Sequence, residues 1–427
     1  MGATQYRAHF FRSRIWNRAN RMRLNWVSGQ VNAPLNSRVV PVLLLSLSLF
    51  TPELVGQQPS ADDQRQTAIA LEQQGKTAES EAAWRAVVKA EPNSAEAYAH
   101  LGFLEARQEH YKQAIVSYRK AKALNPSMPA LDMNLGLALF KAGDLKEAVQ
   151  IFNRILKDQS PGSNEALRLK TLIGMADYGM QEHTAAIPYL KEATAADPQN
   201  LPFRLMLAHS CLAAKQYQCV LDTYHEILNL NAESAEADML AGEALDETQD
   251  HAGAIQQFRA AVKANPKEPN VHFGLGYLLW RQGQFADAAD EFQAELANVP
   301  DHAQAMVYLA DSRIKMNQPE VALPLLRKAV QINSGIDMAH LDLGIIYSDT
   351  GRHVDALREL KLAAKINPGN VNVHWRLAQL YRGMGRKEEA AAEFEKTKTL
   401  TKAADESVSS KLKNSPAQQV PPRATTE

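Results

Sequence analysis

Histidines, cysteines and paired carboxylates are the side chains that most often carry catalysis or hold a metal. The chain has 12 His and 2 Cys among 427 residues. Their spacing assembles no reaction centre. No HExxH pair puts two imidazoles on one helical turn, no GxSxG elbow presents a serine, and no glycine-rich loop could cradle a phosphate. His272, His340 and His374 share one place of a repeating period, and His183, His251 and His353 share another. That is how a packing position recurs in a repeat. Asp62-Asp63 and Glu388-Glu389 read as solvated helix faces. No catalytic residue, metal ligand or cofactor is expected. Cys211 and Cys219 leave two readings open: two buried small side chains, or a disulfide across a hairpin, whose geometry a sequence does not fix. The spacing that does suggest a site is apolar. In PNVHFGLGYLLWRQG, residues 269–283, Phe273, Tyr277 and Trp280 fall at i, i+4 and i+7 with Arg281 beside them, while Leu275, Gly276 and Leu279 occupy another face. The chemistry of such a stripe is recognition, because exposed aromatics bury much area at small entropic cost. Glu243, Asp246 and Glu247 are expected to give that pocket a charged rim.

The stripe sits in a chain built by repetition. Residues 95–128, AEAYAHLGFLEARQEHYKQAIVSYRKAKALNPSM, hold two amphipathic patterns closed by Asn125-Pro126. With Ala95 as place one, the pattern returns at a constant step of about 34 residues. One shift of four interrupts it. The ten copies begin at residues 61, 95, 129, 167, 201, 235, 269, 303, 337 and 371. Place eight is Gly or Ala in every copy, as in Gly102, Gly136, Gly276 and Gly344. Place twenty is small in nearly all. Place twenty-four is large and apolar, as in Trp84, Tyr118, Phe152, Phe258, Phe292 and Leu360. Two small residues let antiparallel helices approach closely, and the large one fills the seam beside them. Gly75, Gly143, Gly283, Gly351 and Gly385 share place fifteen, where a left-handed residue can end the first helix. A single hairpin cannot bury both of its faces, so it must stack on neighbours.

The pattern resembles the tetratricopeptide repeat (TPR) family over Ala61 to about Lys402. The resemblance implies an all-α, right-handed superhelical solenoid of about ten helical hairpins. It also implies that the first helix of each hairpin lines a concave groove through places two, five, nine, twelve and thirteen. Those places here include Phe103, Phe140, Tyr178, Phe273, Tyr277, Trp280 and Arg281, the candidate peptide-binding residues; packing between neighbouring repeats is the other role open to each apolar one. The lysines and asparagines that the family uses to clamp carboxylate tails do not recur in three consecutive copies. The asparagine ladder of sugar-transferase superhelices is absent, with Asn134 alone. The expected function is a non-enzymatic scaffold for protein–protein interaction. An envelope assembly factor handling lipid or polysaccharide is the alternative that an apolar groove would also suit.

The ends differ from the repeats. Residues 1–38 carry seven Arg and no acid, and Val39–Phe50 is a short apolar run. Residues 1–56 therefore read as a signal peptide or signal anchor, placing the repeats in the periplasm or on a membrane facing it. A mitochondrial-type presequence shares that composition. Residues 57–427 hold 40 Lys and Arg against 47 Asp and Glu, a net charge of −7, which gives no support for nucleic-acid binding. Membrane contact is expected only through the N-terminal segment. Repeats one to three are expected over 61–160, an inserted turn over 161–166 around Pro161-Gly162, repeats four to ten over 167–404, and a disordered polar tail over 405–427. Pro188 and Pro324 are expected in the first turn of their helices.

Overall fold

The computed structural model describes residues 60–230 and 233–414. The export segment and the last part of the tail lie outside the described residues. Twenty helices and no strand occur among the described residues. They form two compact units, one ending at Ala232 and the other beginning at Glu233. The first contains α1 (Ala61–Gln73), α2 (Thr77–Ala90), α3 (Ala95–Arg107), α4 (Tyr111–Leu124), α5 (Leu131–Ala142), α6 (Leu145–Lys157), α7 (Asn164–Gly179), α8 (His183–Ala196), α9 (Leu201–Ala213) and α10 (Tyr217–Asn229). The second contains α11 (Ala235–Glu247), α12 (His251–Ala264), α13 (Val271–Arg281), α14 (Phe285–Asn298), α15 (Ala303–Lys315), α16 (Pro319–Ile332), α17 (Asp337–Asp349), α18 (His353–Ile366), α19 (Val371–Gly383) and α20 (Lys387–Asn414). Consecutive helices pair as hairpins, five to each unit.

The register expected from sequence is the register of packing. A Cβ placed on Gly102 would stand 2.8 Å from the Tyr118 ring, on Gly136 2.7 Å from Phe152, on Gly242 2.7 Å from Phe258 and on Gly344 2.6 Å from Leu360. Place eight is therefore small because the place twenty-four side chain lies on its backbone. Trp84, Phe152, Leu190, Phe292 and Leu326 at place twenty-four are 0% exposed, each stabilising its hairpin by about 1.5–3 kcal/mol of transfer energy. Several first helices start on a side-chain cap. The hydroxyls of Ser94, Ser163 and Ser234 accept the backbone N–H three residues on, at 3.2, 3.1 and 3.2 Å. At place fifteen the backbone is left-handed in all ten copies: the five glycines above, with φ from 73° to 91°, and Glu109, Gln181, Lys215, Gln249 and Asn317, with φ from 59° to 71°.

Three expectations change. The four extra residues near Pro161 mostly lengthen a helix instead of a turn. α7 starts at Asn164, inside the expected inserted turn, and runs 16 residues where α3 runs 13. Ser163 caps it, and the turn itself stays short. Pro188 and Pro324 lie in the second turn of α8 and α16, because these helices begin at His183 and Pro319. Each proline removes one backbone bond without ending its helix. Finally, α20 runs to Asn414, into the stretch expected to be disordered. Ala403, Ala404, Glu406 and Leu412 are good helix formers, and the first breaker beyond them is Pro416.

Candidate functional site

The aromatic stripe belongs to α13, the first helix of the seventh hairpin. Its N-terminus is fixed from the second helix of the same hairpin. Glu295, 0% exposed on α14, accepts the backbone N–H of Asn270 at 3.2 Å and of Phe273 at 3.2 Å. A carboxylate there satisfies orphan donors and meets the positive end of the helix. With α13 so placed, Phe273 and Tyr277 are buried, at 5% and 8% exposure, and Trp280 is half-buried.

The stripe was expected to be separate from the face of Leu275, Gly276 and Leu279, and it is a second packing face, not a free one. Tyr308, at place six of the next first helix, α15, lies on all three rings, with centroids 5.8 Å from Phe273, 5.5 Å from Tyr277 and 5.1 Å from Trp280. Phe292 and His302 close on Phe273 at 5.8 and 5.0 Å. Phe273 and Tyr277 are thus core residues of the seam between hairpins. The physical reason is stacking: places five, nine and twelve of one hairpin face place six of the next. Trp280 is tied to that seam by its indole, which donates to Asp311 Oδ2 at 2.6 Å. Arg281 does reach the expected acidic neighbour, as its Nη1 donates to both oxygens of Asp246 at 2.9 and 2.7 Å. Asp246 is also 2.7 Å from His251 Nδ1.

Phe103, Phe140 and Tyr178 stand on α3, α5 and α7, first helices of consecutive hairpins in the other unit. All three are half-buried. Phe103 packs on the Ala68–Trp84 cluster with the Arg107 guanidinium 5.8 Å from its ring. Phe140 borders the Leu139–Phe152 cluster. Tyr178 meets His183 edge-on at 5.8 Å and lies 6.5 Å from His209. The seven candidates therefore fall into two groups, one in each unit.

The most exposed first-helix aromatic is one the candidate set omitted. Trp375, 39% exposed, is at place five of the tenth hairpin, with the Arg376 guanidinium 5.0 Å from its ring. Place five is also the place of Phe273, so counting the repeat alone could have found it. Three of the recurring histidines make the same contact in their hairpins. His272, His340 and His374 lie 2.6, 2.7 and 2.6 Å from Glu291, Glu359 and Glu393, each 19 residues on across its hairpin. Burial raises Glu393, but bonds from Lys396 and His374 outweigh it and hold that carboxyl below its usual range. Among the described residues no group of three His, Cys, Asp or Glu is placed to hold a metal. Cys211 and Cys219 are joined by a disulfide that ties α9 to α10, Cα to Cα 5.8 Å.

Two acids complete the site's electrostatics. Asp311 is 5% exposed, and burial pushes its carboxyl up although the Trp280 indole and Lys315 oppose this. Asp342, at place six of α17 and 4% exposed, is pushed well above the usual range by burial and by Asp311. Its Oδ2 has no hydrogen-bond partner on the chain.

Family profiles described as tetratricopeptide repeat match residues 65–129, 104–164, 273–337 and 309–371, and a second such profile matches 178–244 and 348–399. One described as TPR repeat matches 242–283. The protein CTR9 homolog of Arabidopsis thaliana is 23% identical over 289 residues, 65% of this chain and 26% of that protein. The TPR repeat-containing protein PA4667 of Pseudomonas aeruginosa is 26% identical over 212 residues, 49% of this chain and 35% of that protein. The chain thus spans less than half the length of these relatives. Among solved structures, YrrB, described as a TPR protein with an unusual peptide-binding site, aligns at 19% identity with a TM-score of 0.36, over 42% of this chain and 91% of its own. Pseudomonas aeruginosa pilF aligns at 16% identity with a TM-score of 0.43, over 46% of this chain and 90% of its own.

Proposed function

The chain belongs to the tetratricopeptide repeat family, and we propose that it is a non-catalytic scaffold whose first helices hold segments of partner proteins. The observation that carries this reading is that aromatics stay half-buried or exposed on first helices after the hairpins have packed, Phe103, Phe140, Tyr178 and Trp375 among them. A hairpin stack that needed only internal packing would cover these rings, and uncovered aromatics on a rigid element are the usual anchors of an interface. With Phe273 and Tyr277 committed to the core, Phe140 and Trp375 become the residues on which recognition is tested. The test is capture of partners from a cell extract by the full chain, compared with Phe140→Ala and Trp375→Ala, with helical content measured on the same samples. At least one variant should lose about 2 kcal/mol of affinity, the hot-spot range, while staying folded. Capture unchanged in both would remove the first-helix faces from the function.

We also propose export of the repeats, supported by the seven Arg before the Val39–Phe50 run. Fractionation that recovers the full-length chain in the cytosol would overturn it.

A further inference from the structure

The last hairpin is packed differently from the nine before it. Place five is buried or half-buried in nine copies and exposed in the tenth, where Trp375 is 39% exposed. Place twenty-four is buried in nine copies and half-buried in the tenth, at Phe394. Place five of the seventh hairpin is covered by Tyr308 of the eighth. No hairpin follows α20 among the described residues to do the same for Trp375. Arg382, exposed on α19, lies over the Phe394 ring at 5.8 Å instead. The second helix of this hairpin is also unusual. α20 runs 28 residues, where α6 runs 13 and α18 runs 14. It packs on α19. His374 of α19 meets Glu393 and α19 begins at Val371, so α20 passes the start of its partner helix before Leu400. The remainder, to Asn414, projects by about 21 Å at 1.5 Å per residue. A helix of that length is marginal in water without packing. Its sequence keeps an apolar stripe all the same: Leu400, Ala404, Val408 and Leu412 follow at steps of four.

From these features we infer that the tenth hairpin is a dimer interface whose occupant is a second copy of this chain. The two α20 helices pair antiparallel, and each projecting end lies across the partner's open Trp375–Phe394 face. Charge supports this occupant. Lys387–Glu395 contains four acids and one lysine, whereas residues 396–414 contain five lysines and two acids. Such a layout suits the dipole of a single helix. It also makes α20 complementary to its own copy when the two run in opposite directions, and repulsive when they run together. A two-fold contact is self-complementary by symmetry, so one helix supplies both halves. The stripe of one copy and the exposed ring of the other then cover each other, which removes two apolar surfaces from water at once. The first hairpin of another copy is a poorer occupant. Its place three is the exposed Asp63, where Ala97, Val271, Ala305 and Val373 are 0% exposed. The inference goes beyond the partner-binding reading and shares only Trp375 with it.

The test is the oligomeric state of the purified full chain, by sedimentation equilibrium, with helical content measured on each variant. The unsubstituted chain should sediment as a dimer at micromolar concentration. Trp375→Glu and Ala404→Asp should each raise the dimer dissociation constant about thirtyfold or more, the loss of an interface hot spot. Ala404 lies beyond the start of α19, so the second variant leaves the packing within the hairpin in place. Lys411→Glu with Lys413→Glu should weaken the dimer, and adding Glu388→Lys with Glu395→Lys should restore it. That reversal opposes the helix dipole at both ends, so restoration comes only from pairing between copies, and failure to restore overturns the antiparallel arrangement. A chain that is monomeric at every concentration overturns the inference and leaves the face to another protein or to residues 415–427 of its own chain. A dimer that Trp375→Glu and Ala404→Asp both leave intact overturns it too. Partner capture keeps the two readings apart. Capture that depends on Phe140 in a monomeric chain removes only the dimer. A dimer whose capture ignores Phe140 and Trp375 removes only the partner-binding face.

Discussion

A methyl group on Gly276 would stand 2.9 Å from the Phe292 ring, closer than packed carbons allow. Gly276→Leu must therefore move Phe292, and it should cost about 1–3 kcal/mol as an overpacked core, read as a lower melting temperature. The neighbouring rule at place fifteen gives the opposite sign. Glu109 holds a left-handed backbone, φ 62°, which an L side chain adopts at a cost of about 1 kcal/mol. Glu109→Gly should raise the melting temperature, whereas Gly283→Ala at the same place should lower it. Charge supplies a third prediction. Burial, aided by Glu182, pushes the Asp177 carboxyl up to about 6 from 3.8. Between those values the folded chain keeps a proton that the unfolded chain has lost, so stability falls as pH rises through that window and is level above it. Asp177→Asn should flatten this part of the melting profile and stabilise the chain at pH 7, with little effect below pH 3.5. At this scale the sequence was legible wherever a rule joins two residues of one hairpin, as Gly276 joins Phe292. It was not legible for Phe273, Tyr277 and Trp280. The ring that covers them, Tyr308, belongs to the next copy, and the spacing within α13 does not reveal it.

Among the elements, the hairpin of α9 and α10 differs by being covalently closed. The ring formed by Cys211 and Cys219 spans a sequence separation of 8 residues, and a loop that short should contribute about 2–3 kcal/mol on the chain-entropy account. Reduction should lower the melting temperature, and Cys211→Ser with Cys219→Ser should reproduce the loss without further sensitivity to reductant. Helix boundaries were legible where a cap or a breaker marks them, as at Ser94 and Asn125-Pro126. They were misjudged where amino-acid propensity decided. The residues before Asn164 read as a turn because of Pro161-Gly162, yet Ser163 could cap an earlier start. The stretch after Asp405 read as disordered from its polarity, although Glu406 and Leu412 favour the continuation of α20 and no proline interrupts it before Pro416.

At the scale of the chain, packing within each unit runs mainly between neighbours in sequence, each helix on the one before and the one after. Stability in such a stack is a sum of hairpin and seam contributions, so the period should be removable as a unit. Deleting Ala303–Ile336, one full period, should leave a soluble helical chain with a lower melting temperature. Deleting only Ala303–Gln318, which is α15 and the turn after it, leaves α16 unpaired and should give an aggregating chain. Circular dichroism and size-exclusion chromatography of the two products check this. The all-helical repeat architecture was legible across nearly all the described residues because one spacing recurs ten times. The division between Ala232 and Glu233 was not, since the period passes through it without an inserted residue, and the visible irregularity at Pro161 lies inside a unit.

The bridge between Cys211 and Cys219 also changes what a cut in the chain would mean. The turn it encloses exposes Lys215 and Gln216, a site that trypsin reads. Cleavage after Lys215 would break the main chain but not the molecule, because its two halves would remain tied through sulfur. On a denaturing gel the nicked protein would run as one species until a thiol was added, and then as two. A protease acting at this turn would therefore leave a latent break, which only a later reductant would turn into separation.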